Sequence, residues 1–166
     1  MRTRTTAGLA ALVMGATLAV AGPAMADERI CRGSIGAQTV DNLHVPDGAV
    51  CRLTGTRVEG NITVGTRARL VAANVRVDGN VQAEGHKAVA LVRSRVGGSV
   101  QLEQGGSATV ARNAVKGDVQ LFSNRGTQRV TRNRIDANLQ CKQNRLRPVG
   151  GRNVVQGNKE DQCARL

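Results

Sequence analysis

The chain has 166 residues, with 24 Lys and Arg against 12 Asp and Glu, a net charge of +12. This length allows one compact domain, and a hydrophobic content of 40% argues against a disordered chain. The chain contains one Phe and no Tyr or Trp. A conventional core is therefore excluded, because such a core relies on several aromatic rings that each bury a large area.

The N-terminal segment 1–26 has the features of a secretory signal peptide. Arg2 and Arg4 form a basic start, an apolar run extends over 7–21, and Ala24 and Ala26 fit a small-residue cleavage site. A membrane anchor is the alternative, but the run is shorter than the roughly 20 residues of a spanning helix. Cleavage after Ala26 predicts a soluble exported chain with a net charge of +10, since Arg2 and Arg4 are removed.

A turn signal recurs along the rest of the chain, consisting of Gly or Ala, a small polar residue and an aliphatic residue. The polar members, at intervals of 19 or 20, are Asn42, Asn61, Asn80, Ser99, Asp118, Asn138 and Asn158. Regular self-similarity at such a period is the signature of a repeat architecture. The sequence predicts six units over 42–157, with an N-terminal cap over 27–41 and a C-terminal cap over 158–166.

Each unit has the pattern of three short strands. Its second and fourth residues are apolar and its third is polar, as in Val100, Gln101 and Leu102, which is the alternation of a half-buried strand. A second apolar column stands near the end of each unit, and pairs such as Val89 and Leu91, or Ala108 and Val110, mark a third short strand in the middle. The sequence therefore predicts an all-β fold, a single-stack parallel β-helix (β-solenoid) with 19–20 residues per coil. Small aliphatic residues stacked about 4.8 Å apart fill its narrow interior without aromatic rings. Phe122 is left either at a corner or outside.

One polar column follows the same period. Its members are Ser94, Asn113, Asn133 and Asn153. Asn at a bend can bond its own backbone and the Asn of the next coil, satisfying amides that no strand reaches. We interpret the column as an inward structural ladder in preference to a binding site.

The four cysteines of an exported chain favour disulfides over metal or redox chemistry. The repeat places Cys31 almost over Cys51, and Cys141 near the column of Cys163. The predicted bonds Cys31–Cys51 and Cys141–Cys163 would close the two ends of the solenoid. A zinc site is disfavoured because the two pairs lie at opposite ends.

The C-terminal part of the chain carries a resemblance. The segments 138–144 (Asn-Leu-Gln-Cys-Lys-Gln-Asn) and 150–163, which ends in Gln-Gly-Asn-Lys-Glu-Asp-Gln-Cys, are similar to the ending of small secreted, repetitive β-helix proteins of actinomycetes. That group is largely uncharacterised. The resemblance extends over most of 27–166. It implies export and a β-helical fold, and it supplies no activity, cofactor or site residue.

Arginine forms two columns that flank the polar ladder. The first contains Arg57, Arg76, Arg95 and Arg134, with Ala114 interrupting it, and the second contains Arg93, Arg112, Arg132 and Arg152. Because side chains alternate along extended chain, both columns should point outward while the ladder points inward. The expected result is a basic stripe along one face.

The basic stripe has two interpretations. It keeps the surface soluble, or it binds polyanions, since Arg forms bidentate contacts to phosphate and carboxylate. The candidate partners are an anionic cell-wall polymer, an acidic polysaccharide or extracellular DNA. The absence of aromatic stacking platforms argues against a specific reader of nucleic acid.

The functional prediction is a secreted, non-enzymatic structural or adhesive module of the cell envelope or extracellular space, with no catalytic residues, metal or cofactor. His44 and His86 lie in different units, and the acidic residues are read as dispersed, with no column that stacks two neighbouring carboxylates. The alternative is a small polysaccharide-lyase-like enzyme that acts on an anionic glycan, by analogy of fold alone.

Overall fold

The computed structural model describes residues 28–166, so the predicted signal peptide lies outside the described residues. Within this range the chain is all-β, with no helix. The first three coils contain β1 Glu28–Ile30, β2 Gly33–Ile35, β3 Thr39–Val40, β4 Asn42–Val45, β5 Val50–Thr54, β6 Arg57–Val58, β7 Ile62–Val64, β8 Arg69–Ala73 and β9 Arg76–Val77. The next two contain β10 Val81–Glu84, β11 Ala88–Val92, β12 Arg95–Val96, β13 Val100–Glu103, β14 Ser107–Ala111 and β15 Ala114–Val115. The last two contain β16 Val119–Phe122, β17 Gln128–Thr131, β18 Arg134–Ile135, β19 Leu139–Lys142, β20 Val149–Gly151 and β21 Val154–Val155, followed by β22 Lys159–Asp161.

The strands form three parallel sheets, and each coil contributes one strand to each sheet. The first sheet runs from β1 through β4, β7 and every third strand to β22, the second from β2 to β20 and the third from β3 to β21. Register partners lie one coil apart, as where Val81 pairs with Ile62 on one side and Val100 on the other. The predicted parallel β-solenoid is confirmed, and one sequence repeat makes one turn of it.

Columns of aliphatic side chains fill the interior. Leu43, Ile62, Val81 and Val100 are completely buried and stack along the first sheet. Burial of each such side chain contributes roughly 1.5–3 kcal/mol before chain entropy is subtracted. Phe122 stands outside this core, on the outer face of the first sheet. The one aromatic residue therefore plays no part in the apolar interior.

The first coil differs from the prediction. Residues 28–40, expected as a cap, hold β1, β2 and β3 and so add a seventh coil to the six predicted. Its β1 pairs with β4 over a shorter stretch of chain than the repeat, as in Glu28 with Asn42. This short coil lacks both the turn signal and the regular spacing, so counting repeats in the sequence could not find it.

A disulfide closes each end of the stack. Cys31 bonds Cys51, with their Cα atoms 5.6 Å apart, and Cys141 bonds Cys163, with a Cα separation of 5.2 Å. These are the pairs that the repeat register predicts. The first joins the two N-terminal coils, and the second joins the last coil to the C-terminal turn. Both link elements at the open ends, where terminal repeats of a solenoid fray most readily.

Candidate functional site

The bend between the second and third sheets has one residue in the left-handed conformation in each coil after the first. The column is Gly55, Asn74, Arg93, Arg112, Arg132 and Arg152, with φ between 50° and 68°. The N–H of Arg93 donates to Ala111 O at 3.0 Å, and that of Arg112 donates to Thr131 O at 3.0 Å. The left-handed residue thus keeps the coil-to-coil hydrogen bonding continuous where the chain changes direction.

The bend geometry does not itself require arginine. Positive φ favours Gly and Asn, and for other residues it is strained by about 1 kcal/mol or more. The bend between the first and second sheets has positive φ at residues of different kinds, among them Gly85, Gln104, Ser123 and Gln143. The second arginine column occupies four successive coils at a position where Gly or Asn would cost less. The arginine side chain, not the backbone, is therefore the reason to look for a role here.

A buried ladder holds this bend from the inside. Asn133 Oδ1 accepts from Asn113 N at 3.0 Å and from Asn113 Nδ2 at 3.1 Å. Asn133 Nδ2 in turn donates to Val110 O at 2.8 Å and to Asn153 Oδ1 at 3.0 Å. Ser94 N donates to Asn113 Oδ1 at 2.8 Å. The four residues of the expected ladder thus form one hydrogen-bonded column, which makes the adjoining surface rigid. The side-chain amides of the three Asn donate to backbone carbonyls of the preceding coil, whereas Ser94 Oγ donates to Val92 O in its own coil.

A second inner ladder was missed from the sequence. Asn124 Oδ1 accepts from Gly105 N at 2.9 Å, and Asn144 Oδ1 accepts from Asn124 N at 3.0 Å. Asn144 N donates to Gln162 Oε1 at 2.9 Å, so the C-terminal turn closes this column. The regular interval from Asn124 to Asn144 was the available signal.

The first arginine column lies on the outer face of the third sheet. Arg57, Arg76 and Arg95 are register partners on three successive coils, and Ala114 pairs with both Arg95 and Arg134. All four arginines are exposed. The expected interruption at Ala114 is thus a real gap in a stack of cations.

The two columns converge on a groove of about 520 Å³ along the bend. Its arginines are Arg76, Arg93, Arg95, Arg112, Arg132 and Arg134, and its floor includes Ser94, Asn113 and Ala114. No carboxylate lines this groove. Arg57 and Arg152 are not part of its wall. The arrangement presents six guanidinium groups to solvent on a rigid backbone, which is suited to binding anions.

Ion pairs neutralise the ends of the first column. Arg57 bonds Asp78 at 2.8 Å and approaches Glu59 at 3.5 Å, while Arg76 bonds Asp78 at 2.8 Å. The hydrogen bond from Arg76 is the main cause that lowers the pKa of Asp78, and the same bond raises the pKa of Arg76. Asp78 therefore stays ionised and holds both arginines.

Stacked carboxylates occur on the outer face of the first sheet, which corrects the sequence interpretation. Glu84 and Glu103 occupy the same position in successive coils and pair in register. They line a groove of about 450 Å³ together with Asp47 and His44. The expectation that no column stacks two neighbouring carboxylates was wrong, because this pair was overlooked. In residues 28–166 no cluster of three or more His, Cys, Asp or Glu has the geometry of a metal site.

A glutamine ladder crosses the same face. Gln82 donates to Gln101 at 2.8 Å, Gln101 to Gln120 at 2.9 Å, and Gln120 to Gln140 at 2.8 Å. The side chain of Gln140 donates to Glu160 at 2.8 Å. These amides are largely occupied with one another, so this outward column serves first to tie the coils together.

His86 is buried inside the coil stack, 1% exposed, and neither ring nitrogen has a hydrogen-bond partner. Burial lowers the pKa of His86 below its ordinary value of 6.5. A Cβ on Gly105, in the next coil, would overlap the imidazole ring, so the ring fits only because residue 105 is glycine. The buried ring favours its neutral form and has no access to solvent, so it does not have the setting of a catalytic base.

Comparison of the chain with protein-family models, curated proteins and solved structures finds no match. The part of the chain described here has no helix of the length and apolarity needed to cross a membrane. The functional argument therefore depends on the chemistry of the site.

Proposed function

We propose that the protein is a secreted, non-enzymatic β-solenoid that attaches to an anionic polymer of the cell envelope or extracellular space through its arginine face. The observation that carries the proposal is the carboxylate-free groove with six arginines. Four successive left-handed bend positions are occupied by Arg although that conformation favours Gly or Asn. A requirement for charge at this surface accounts for that choice.

The spacing of the face supports a linear ligand. Coils follow one another at about 4.8 Å, so the second column has one cation per coil from Arg93 to Arg152, and the first has the same step except at Ala114. An extended glycan of uronic acid residues, or a phosphate-bearing cell-wall polymer, offers anions at regular intervals along one line. Each Arg engages such a group with paired N–H donors. The two disulfides fit an oxidising extracellular setting.

The test is binding of the purified chain to polygalacturonate and to a polyphosphate, with neutral dextran as the control. Because binding would release condensed counterions, affinity should fall steeply as salt rises. Replacing Arg93, Arg112 and Arg132 together by Gln should weaken binding by about 1,000-fold or more at low salt, since each of the three charge-assisted contacts contributes roughly 1.5 kcal/mol or more. If the chain binds neither polygalacturonate nor polyphosphate at low salt, the proposal is refuted.

The same incubation tests the enzymatic alternative. A lyase acting on polygalacturonate would generate unsaturated sugar ends, which absorb in the ultraviolet. We expect no such product over an extended incubation, and its appearance would overturn the non-enzymatic assignment.

A further inference from the structure

The balance of charge along the third sheet changes in its middle coils. Two residues after each position of the first arginine column, the chain has Glu59, Asp78, Gly97, Lys116 and Asp136 in successive coils. An acidic residue thus follows Arg57, Arg76 and Arg134. No acidic residue stands at this position after Arg95, where the chain has Gly97, and after Ala114 the position is occupied by Lys116.

The ion pairs follow this pattern. Arg57 and Arg76 share Asp78, and Arg134 approaches Asp136 at 3.4 Å. No ion pair within residues 28–166 includes Arg95 or Lys116. The strongest uncompensated positive charge of the face is therefore concentrated around its centre, on the coils of β12 and β15.

The centre of the arginine face also has an open space, which lies over Ala114. Ala114 is exposed and carries only a methyl group where the neighbouring coils have arginine. It lines both the bend groove and a second hollow of about 390 Å³ on the third sheet, which also includes Arg95, Lys116 and Arg134. The two carboxylates of this hollow, Asp78 and Asp136, are ion-paired with Arg76 and Arg134 at its two ends. The two hollows meet over this residue. We call the space over Ala114 the central notch.

The dimensions of the central notch fit a compact anion. Arg95 and Arg134 lie two coils apart, about 9.6 Å at the usual strand spacing. Arg95 and Arg134 both line the groove and the hollow, so their side chains border the space from the coils on either side, while Lys116 lines the hollow and Arg112 the groove on the coil of Ala114 itself. A tetrahedral group directs oxygen atoms towards all of these donors. A carboxylate offers only two oxygen atoms, both in one plane, and therefore fewer acceptor directions.

We propose that the central notch is a discrete subsite for one tetrahedral oxyanion, a phosphate or sulfate group carried by the polymer. This inference rests on the proposed function and makes it specific. The second arginine column supplies general attraction to polyanions, and the notch selects polymers that bear phosphate or sulfate over those that bear only carboxylate.

The matched variants are Ala114→Leu and Ala90→Leu in the full chain. Both add the same volume to an outward residue without changing charge, but only the first fills the notch. Binding is measured with inorganic phosphate, inorganic sulfate and acetate, following the Arg Nε–H resonances by NMR. Ala114→Leu should weaken phosphate and sulfate binding by about tenfold or more, the loss of one charge-assisted contact. Ala90→Leu should have no effect.

A second pair separates the central charge from an end charge. Arg95→Gln should weaken phosphate and sulfate binding by about tenfold, whereas Arg57→Gln should change it less than about twofold, because Asp78 and Glu59 already neutralise Arg57. Phosphate and sulfate are distinguished by pH. A phosphate monoester is used as an additional probe. It loses charge below its second pKa of about 6, so its binding should weaken between pH 7 and pH 5 while that of sulfate persists.

The two proposals fail in different ways. If Ala114→Leu binds phosphate and sulfate as the unmodified chain does, the notch is not the subsite, although polymer binding by the arginine face stands. Equal losses for Arg95→Gln and Arg57→Gln would lead to the same conclusion. If the unmodified chain binds no polyanion at low salt, the proposed function fails and the notch with it.

Discussion

Arg95 and Ala114 are register partners in the third sheet, so the guanidinium stack that begins at Arg57 ends against a methyl group. The row of arginines resumes one coil later at Arg134. A regular repeat would have put another cation here. The exception leaves two cationic neighbours, Arg95 and Arg134, around an open position, and so spares the sheet the repulsion of a third stacked cation.

Ala114→Arg would complete the column. We expect its free energy of unfolding to fall by about 0.5 kcal/mol at low ionic strength, because like charges directly opposite in a sheet repel. At about 1 M salt, where the Debye length is near 3 Å, the difference should largely disappear. Denaturant unfolding at both salt concentrations measures it, with Ala114→Gln as the uncharged control. Equal stability of the two variants at low salt would show that the gap relieves no repulsion.

Glu103→Gln should stabilise the protein. Glu84 and Glu103 are opposed in register, so removing one charge is worth about 0.5 kcal/mol. Glu59→Gln is the matched control, since Glu59 lies 3.5 Å from Arg57 and should give no gain. Chemical denaturation at pH 7 compares the two. A loss of stability in Glu103→Gln would mean that the stacked carboxylates bind a cation in solution.

Much of this architecture was predictable because stacking repeats the same environment every coil. The repeat interval places Val58 over Val77 and Asn113 over Asn133, and both relationships hold. The left-handed backbone at Arg93 was not predictable, because arginine carries no signal for positive φ. The bond from Arg57 to Asp78 depends on a side-chain conformation across coils, which residue spacing does not determine.

The overlooked features are of two kinds. Glu84 and Glu103 obey the interval and could have been found by the same count that aligned the arginines. The first coil could not, because its shorter step departs from the repeat and its pairing with β4 depends on packing at the end of the stack. Periodicity is informative only where the chain maintains it.

Asn133→Ala should be strongly destabilising, by about 3 kcal/mol. It removes four buried hydrogen bonds and leaves the backbone N–H of Asn113 without its acceptor in the interior. Asn158→Ala, at an exposed position of the C-terminal turn, should cost less than about 0.5 kcal/mol. Thermal or urea unfolding measures both. A small effect at Asn133 would indicate that water replaces the ladder.

The protein should lose stability in mild acid because of His86. Burial lowers the pKa of this group in the folded state, so below pH 6.5 the unfolded chain binds the extra proton first. Stability is therefore full above pH 6.5 and falls below it, by up to about 1.4 kcal/mol per pH unit until the folded-state pKa is reached. Unfolding from pH 8 to pH 5 measures the slope. His86→Leu should flatten it. An unchanged slope in His86→Leu would assign the acid sensitivity to other groups.

Removing Cys141–Cys163 should loosen one end of the stack and leave the centre intact. The bond closes a loop of 22 residues, and such a cross-link is worth about 3 kcal/mol through the entropy of the unfolded segment. Because each coil contacts only its neighbours, the loss should be local. In Cys141→Ser/Cys163→Ser, amide exchange in β22 and β19 should accelerate by about 100-fold, while β11 in the middle of the second sheet stays protected. Cys31→Ser/Cys51→Ser should have the mirror effect, exposing β1 and β2 and sparing β22. Uniform loss of protection in every coil would show instead that the solenoid unfolds as a single cooperative unit, in which the end disulfides stabilise all seven coils together.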